Sequence, residues 1–227
     1  MGDLMLWKFK KRPVVVTVHG FGARTSHEMD DLAAFLKQNH YDVVQFNLYD
    51  INDPTDANIK AWIERAEQAL QNAFRKTDEV YLLGFSMGGV IASYLATLFP
   101  VKCLILVAPA FHYINLQMAR TATKKTFSSS PSSGKVSPSR AQTKAFTEIV
   151  NMYKESIAHI ECPVLILHGT KDEVIDYSSS VSEYKRIPHE RKRLLLVEGA
   201  PHRMLYTKAF ENTAFQIILA MLQGKLL

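Results

Sequence analysis

Several things are scarce in these 227 residues, and each scarcity excludes something. There are two cysteines, Cys103 and Cys162, far apart and each beside an apolar, strand-like run. That is no disulfide framework and no zinc-finger spacing, so both are expected as buried free thiols. Eight histidines include no His-Glu-x-x-His pair, so no metal site is expected. No apolar run approaches the roughly 18 residues of a membrane span, and the first dozen residues lack a signal-peptide core with a cleavage site. A soluble, cytoplasmic chain without stable membrane insertion is expected. Acidic residues are absent from Val80 through Thr147, a span that carries Lys102, Arg120, Lys124, Lys125, Lys135, Arg140 and Lys144. The net charge of +5 is too mild to argue for a nucleic-acid partner.

What is present is ordinary globular composition, 47% hydrophobic and 22% charged, and one domain is the default at this length. A chain this long can bury about 70% of its unfolded surface. No cofactor is needed to account for stability, and none is expected.

The densest information lies in Val80-Tyr81-Leu82-Leu83-Gly84-Phe85-Ser86-Met87-Gly88-Gly89. An apolar run ends in Gly-x-Ser-x-Gly, and a largely apolar helical stretch follows from Val90 to Phe99. Strand, sharp turn and helix would hold Ser86 in a strained backbone geometry, proud of the sheet. A Cβ at Gly84 or Gly88 would collide with the neighbouring chain. The helix N-terminus favours negative charge there.

Around this stretch strands and helices alternate. Leu4–Phe9 reads as a short edge strand. Pro13–Val18 reads as a buried strand ending in the tight loop His19-Gly20-Phe21-Gly22. Thr25-x-x-Glu28 has the form of a capping box, opening a helix with Met29, Leu32, Ala33 and Leu36 on one face. Tyr41–Leu48 is the next strand, and Asp50–Thr55 a polar loop. A helix carries Ile59, Trp62, Ile63, Ala66, Ala69, Leu70 and Phe74 on its inner side. Val101–Val107 is a strand after the serine's helix. The pattern then breaks from Phe111 to His159, where a serine-rich run, residues 128–134, has flexible composition and Ala141–Ile157 is weakly amphipathic. This reads as a short cap insertion, residues 111–159, partly flexible, within a single domain spanning residues 1–227. Cys162–Leu167 is a strand leading to His168-Gly169-Thr170-Lys171-Asp172. Ser178–Ile187 is helical, Arg193–Val197 the last strand, Glu198–His202 a loop, and Ala209–Leu222 the closing helix.

Such alternation predicts an α/β fold: a mainly parallel sheet with helices on both faces. Reactive groups then gather beyond the C-terminal ends of the strands. Ser86, Asp172, His202 and the Phe21 loop all fall there. A serine hydroxyl needs a base to take its proton, and an imidazole, with a pKa near 6.5, suits. The imidazolium that forms needs a carboxylate. His202 is the candidate base and Asp172 the candidate acid, with Glu173 and Asp176 as nearby rivals. His19 and His168, each before a glycine at a strand end, are expected to brace loops. His27, His40 and His189 lie in helical or polar surface stretches. His112 and His159 border the insertion and remain open as bases. An oxyanion hole needs two converging N–H groups, and the candidates are those of Phe21 and Met87. The Phe21 side chain would wall an acyl pocket.

The order Ser86, Asp172, His202, with Gly84-x-Ser86-x-Gly88 and an upstream His19-Gly20, resembles the α/β-hydrolase superfamily over nearly the whole chain. The compact size, the His-Gly-Phe loop and His168-Gly169-x-x-Asp172 resemble small bacterial carboxylesterases and monoacylglycerol-lipase-like enzymes. Two features depart from the family: Pro201-His202 where Gly-His is usual, and a short, serine-rich cap. The resemblance implies an eight-stranded family sheet, trimmed at its start here, and a carboxylesterase acting on a small-molecule ester through an acyl-enzyme. A thioesterase or lysophospholipase acting on an anionic substrate would share the machinery. A non-catalytic ligand-binding protein on the same fold is the reading from another class. The serine at position 86 excludes the carboxylate nucleophile of dehalogenases and epoxide hydrolases.

Overall fold

The computed structural model describes residues 11–112 and 137–227. The expected edge strand at Leu4–Phe9 and the serine-rich run lie outside them. The described residues form a six-stranded sheet: β1 (Val14–Val18), β2 (Asp42–Gln45), β3 (Val80–Phe85), β4 (Leu104–Val107), β5 (Val164–Gly169) and β6 (Lys192–Val197). The spatial order is β2-β1-β3-β4-β5-β6 and every pair is parallel. The connecting helices are α1 (Asp30–Gln38), α2 (Ile59–Phe74), α3 (Met87–Leu98), α4 (Arg140–Tyr153), α5 (Ser178–Arg186) and α6 (Glu211–Leu222). This is the α/β-hydrolase fold.

The burial pattern explains why these strands are nearly continuous apolar runs. The inner strands β1, β3, β4 and β5 have both faces covered, as parallel sheets require. Alternate residues feed separate cores. Val14, Val16, Val18, Leu82, Leu104, Leu106, Val164 and Ile166 point to one face, with Trp62, Leu70, Val90 and Leu95 of α2 and α3. Val15, Leu83, Phe85, Ile105, Val107, Leu165 and Leu167 point to the other, with Leu32 and Leu36 of α1 and Ile218 of α6. The edge strands β2 and β6 are only partly covered.

Helix α3 is apolar all round because it is buried on both sides. The sheet lies beneath it, and α4 with the 3₁₀ segment Lys154–His159 packs over it. Helix α4 begins at a complete capping box, Ser139 with Gln142.

Several expectations need correction. Strand β4 begins at Leu104 rather than Val101, and β5 runs Val164–Gly169 rather than Cys162–Leu167. The Thr25-x-x-Glu28 box does not form: Thr25–Met29 is a 3₁₀ turn without a side-chain cap, because the Glu28 carboxylate is drawn inward to Gly20. Strand β2 stops at Gln45 rather than Leu48, since the chain turns under the sheet edge to bring the Leu48 N–H to His19 Nε2 at 2.9 Å. Cys103 is buried, but Cys162 is only partly so. Both thiols are free; burial pushes that of Cys103 far up and that of Cys162 up to about 12. Among the described residues, no helix is long and apolar enough to cross a membrane.

Candidate active site

The turn after β3 is forced by close approach. A Cβ on Gly84 would stand 2.3 Å from the Gly88 carbonyl oxygen, and one on Gly88 would stand 2.0 Å from that of Val18. Only with both side chains absent can α3 start directly against the end of β1. The cost falls on Ser86, held at φ 54°, ψ −119°, a left-handed φ that a non-glycine residue adopts only under constraint. Its own N–H is tied to the Val107 carbonyl at 3.0 Å, and its carbonyl accepts from Ala110 at 3.1 Å.

His202 reaches this serine from the loop after β6. The loop is stapled to the one after β5. Lys171 N–H donates to the Ala200 carbonyl at 3.0 Å, and Gly199 N–H to Thr170 Oγ1 at 2.9 Å. A Cβ on Gly169 would lie 2.1 Å from the Ala200 oxygen. The Pro201-His202 sequence is accommodated in this way, and the imidazole packs on the Phe85 ring with centroids 5.0 Å apart. Its Nε2 lies 3.2 Å from Ser86 Oγ. Its Nδ1 lies 2.8 Å from Asp172 Oδ2, so the Nδ1–H donates to the carboxylate and Nε2 is left to accept from the serine. Among the described residues no other histidine hydrogen-bonds to Ser86.

Asp172 is held on both oxygens. Oδ1 accepts the N–H groups of Val174 and Ile175, each at 2.8 Å. Oδ2 accepts from His202 and from His168 Nε2 at 3.0 Å. Burial alone would push this carboxyl up. The hydrogen bonds from the two histidines, the positive charge at His202 and the Ile175 N–H outweigh it and hold Asp172 well below the ordinary carboxylate range. It therefore stays ionised wherever His202 works. The rival acids are employed elsewhere. Glu173 accepts the backbone N–H of His202 at 3.1 Å, and Asp176 accepts that of Ser178 at the start of α5.

His19 and His168 brace their loops. His168 is fully buried and also meets Ser180 Oγ at 2.6 Å through Nδ1. His19 Nδ1–H donates to the Gly20 carbonyl at 2.7 Å while Nε2 accepts from Leu48. Burial, opposed by the Gly20 hydrogen bond, lowers His19 to about 4 and keeps it neutral. His112 pairs with Glu183 at 2.6 Å.

The Gly20-Phe21-Gly22 turn lies against the serine: a Cβ on Gly20 would be 3.1 Å from Ser86 Cβ. Gly20 N–H is taken by Glu28 Oε2 at 2.7 Å. The Tyr49 hydroxyl takes the Gly22 N–H and donates to the Gly22 carbonyl, both at 2.8 Å. Neither Phe21 N–H nor Met87 N–H has an acceptor among the described residues. The half-buried Phe21 ring stacks on Phe146 of α4, centroids 5.0 Å apart and 8° from parallel. The Tyr206 hydroxyl donates to Glu28 Oε1 at 3.2 Å. The sequence does not single out Glu28, Tyr49, Ser180 or Tyr206 for the site. For Glu28 a signal existed: it sits four residues before Leu32, on the apolar face of its segment, where a carboxylate needs a buried partner. Among the described residues no His, Cys, Asp and Glu group is arranged to hold a metal ion.

A family model described as "Uncharacterised protein family (UPF0227)" matches residues 14–203. Among curated proteins, the chain is similar to the alpha/beta hydrolase domain-containing protein 17C of Xenopus tropicalis, 34% identical over 162 residues, covering 70% of this chain and 45% of that protein. The human 17C protein is 33% identical over 162 residues, with 70% and 43% covered. The chain thus spans less than half the length of these relatives. Among solved structures, one of the metagenome-derived lipolytic enzymes LipS and LipT superposes with a TM-score of 0.80 at 19% identity over 94% of each chain. A monoacylglycerol lipase from Paleococcus ferrophilus gives 0.72 at 15% identity, covering 93% of this chain and 95% of that one. A soluble variant of the Saccharomyces cerevisiae monoglyceride lipase, bound to a substrate analogue, gives 0.71 at 20% identity, covering 94% and 86%.

Proposed function

This chain belongs to the UPF0227 family and to the α/β-hydrolase superfamily, and from that premise we propose that it is a serine hydrolase of carboxylic esters, a carboxylesterase on small or flexible acyl substrates. Ser86 is the nucleophile, His202 the base and Asp172 the orienting acid. The observation that carries the reading is the unbroken hydrogen-bonded path from Ser86 Oγ through His202 to the buried Asp172 carboxylate.

Ser86 Oγ bonds to the ester carbonyl carbon as His202 Nε2 takes its proton. The carbonyl oxygen becomes an oxyanion, stabilised by the N–H groups of Phe21 and Met87. The intermediate collapses, the C–O bond to the alcohol breaks, and His202 returns its proton to the departing oxygen. Water, deprotonated by His202, then attacks the acyl-enzyme, and the acid leaves as Ser86 recovers its proton. Asp172 stays ionised throughout and stabilises the imidazolium. The whole chain is read as one domain, with residues 111–159 a short cap and Phe21 part of the acyl wall.

Wild-type protein should turn over p-nitrophenyl acetate and butyrate, and Ser86→Ala should lower kcat by about 10⁴ or more. A folded wild type without turnover, or a Ser86→Ala variant as active as wild type, refutes the reading in favour of a ligand-binding protein on the same fold.

A further inference from the structure

Glu28 is a buried carboxylate that the proposed reaction does not use. Its residue is 8% exposed, and a surface position would spare it the cost of desolvation. Oε2 accepts the Gly20 N–H at 2.7 Å and Oε1 accepts the Tyr206 hydroxyl at 3.2 Å. Burial pushes its carboxyl up; the Gly20 and Tyr206 hydrogen bonds and positive charge at His202 and Arg203 pull it back.

What Glu28 grips is the turn beside the nucleophile. A point one bond from Gly20 Cα is 3.1 Å from both Glu28 Oε2 and Ser86 Cβ, so both lie in contact with the same glycine. The carbonyl of Gly20 and the N–H of Phe21 belong to one peptide unit, planar and trans, so they point in opposite directions. His19 Nδ1–H holds the carbonyl end. Glu28 holds the N–H of the preceding unit, and Tyr49 holds both polar groups of Gly22. Three side chains thus hold the peptide units around the Phe21 N–H and, among the described residues, leave that N–H itself without an acceptor.

We propose that Glu28 is a positioning residue: through its hydrogen bond to Gly20 it fixes the Gly20–Phe21 peptide so that the Phe21 N–H faces the oxygen on the carbon that Ser86 attacks. This rests on the serine-hydrolase reading, and it assigns Glu28 no contact with substrate. The acceptor oxygen is what matters, not the negative charge. A glutamine in its place presents a carbonyl to Gly20 and an amide N–H₂ to the Tyr206 oxygen.

The test compares Glu28→Gln, Glu28→Leu and Glu28→Asp in the full chain, with p-nitrophenyl butyrate as substrate and an aryl trifluoromethyl ketone as inhibitor. The ketone's adduct with serine places its oxygen in the oxyanion position. KM and Ki do not depend on the fraction of protein that is folded. Glu28→Leu and Glu28→Asp, the latter too short to reach Gly20, should lower kcat by about 10²-fold and weaken Ki about as much, with KM within about twofold. Glu28→Gln should stay within about threefold of wild type in all three constants. Wild-type kcat and Ki in Glu28→Asp or Glu28→Leu overturns the inference, and so does a Glu28→Gln variant as impaired as Glu28→Leu. Should the leucine variant fail to fold, the aspartate and glutamine variants decide it by the same criteria. A wild type without Ser86-dependent turnover would instead refute the enzyme reading.

Discussion

At the scale of single residues, the site is built by burying ionisable groups and then deciding their protonation with hydrogen bonds. His19 is the plainest case. Its folded value, about 4 against an ordinary 6.5, means that the unfolded chain takes up a proton that the native state refuses. Its contribution to stability is therefore complete above pH 6.5 and is lost as pH falls from 6.5 towards 4, by about 3 kcal/mol in all. Glu28, pushed up by burial, works in the opposite sense over part of that window. Asp172, held low in the fold, adds to the loss in the same sense as His19, but only as pH approaches and passes below its unfolded value near 3.8. The difference between wild type and His19→Gln isolates the imidazole. In urea titrations from pH 7 to 4.5, wild type should lose stability relative to His19→Gln as pH falls; parallel curves would contradict it. The same scale shows what the sequence could and could not disclose. That Ser86, Asp172 and His202 meet was legible because the proposed chemistry calls for one residue type each at one kind of place, the end of a strand. For Glu28 only its place on an apolar face was legible; its partner Gly20 lies eight residues away across a turn that no periodicity describes.

At the scale of elements, hydrophobic spacing located the central strands and the amphipathic helices, because a parallel sheet with two covered faces leaves no freedom in where apolar residues go. Boundaries and caps were less legible. Two segments carry the capping pattern, Thr25-x-x-Glu28 and Ser139-x-x-Gln142, and only the second forms. Local sequence cannot separate them; what decides is that a buried N–H at Gly20 competes for Glu28. Gln142 is fully buried. Its carbonyl accepts from Ser139 at 2.8 Å, and its amide donates to the carbonyls of Asp50 and Asp53 at 2.9 and 3.1 Å. It thus fastens α4 to the loop that precedes α2. Gln142→Ala leaves these groups unpaired and should cost about 2–3 kcal/mol in urea unfolding. Ser139→Ala, which removes one cap, should cost about 1 kcal/mol. A loss below about 0.5 kcal/mol for Gln142→Ala would mean that the loop holds its position without the helix.

At the scale of the whole molecule, the six parallel strands bring loops that lie far apart in sequence to one edge, with Ser86 and His202 116 residues apart along the chain yet in hydrogen-bond contact. Chain order and strand alternation are enough to foresee that convergence; the stapling of the β5 and β6 loops, which sets the distance, depends on contacts between residues that no local pattern relates. The central claim is that this convergence makes Ser86 a nucleophile, and covalent labelling tests it most directly. A fluorophosphonate incubated with the folded wild-type chain should add its mass to the single tryptic or chymotryptic peptide that contains Ser86. Labelling should disappear in Ser86→Ala and slow by several orders of magnitude in His202→Ala. A folded wild type that stays unlabelled, or that is labelled equally with residue 86 replaced, would contradict the account.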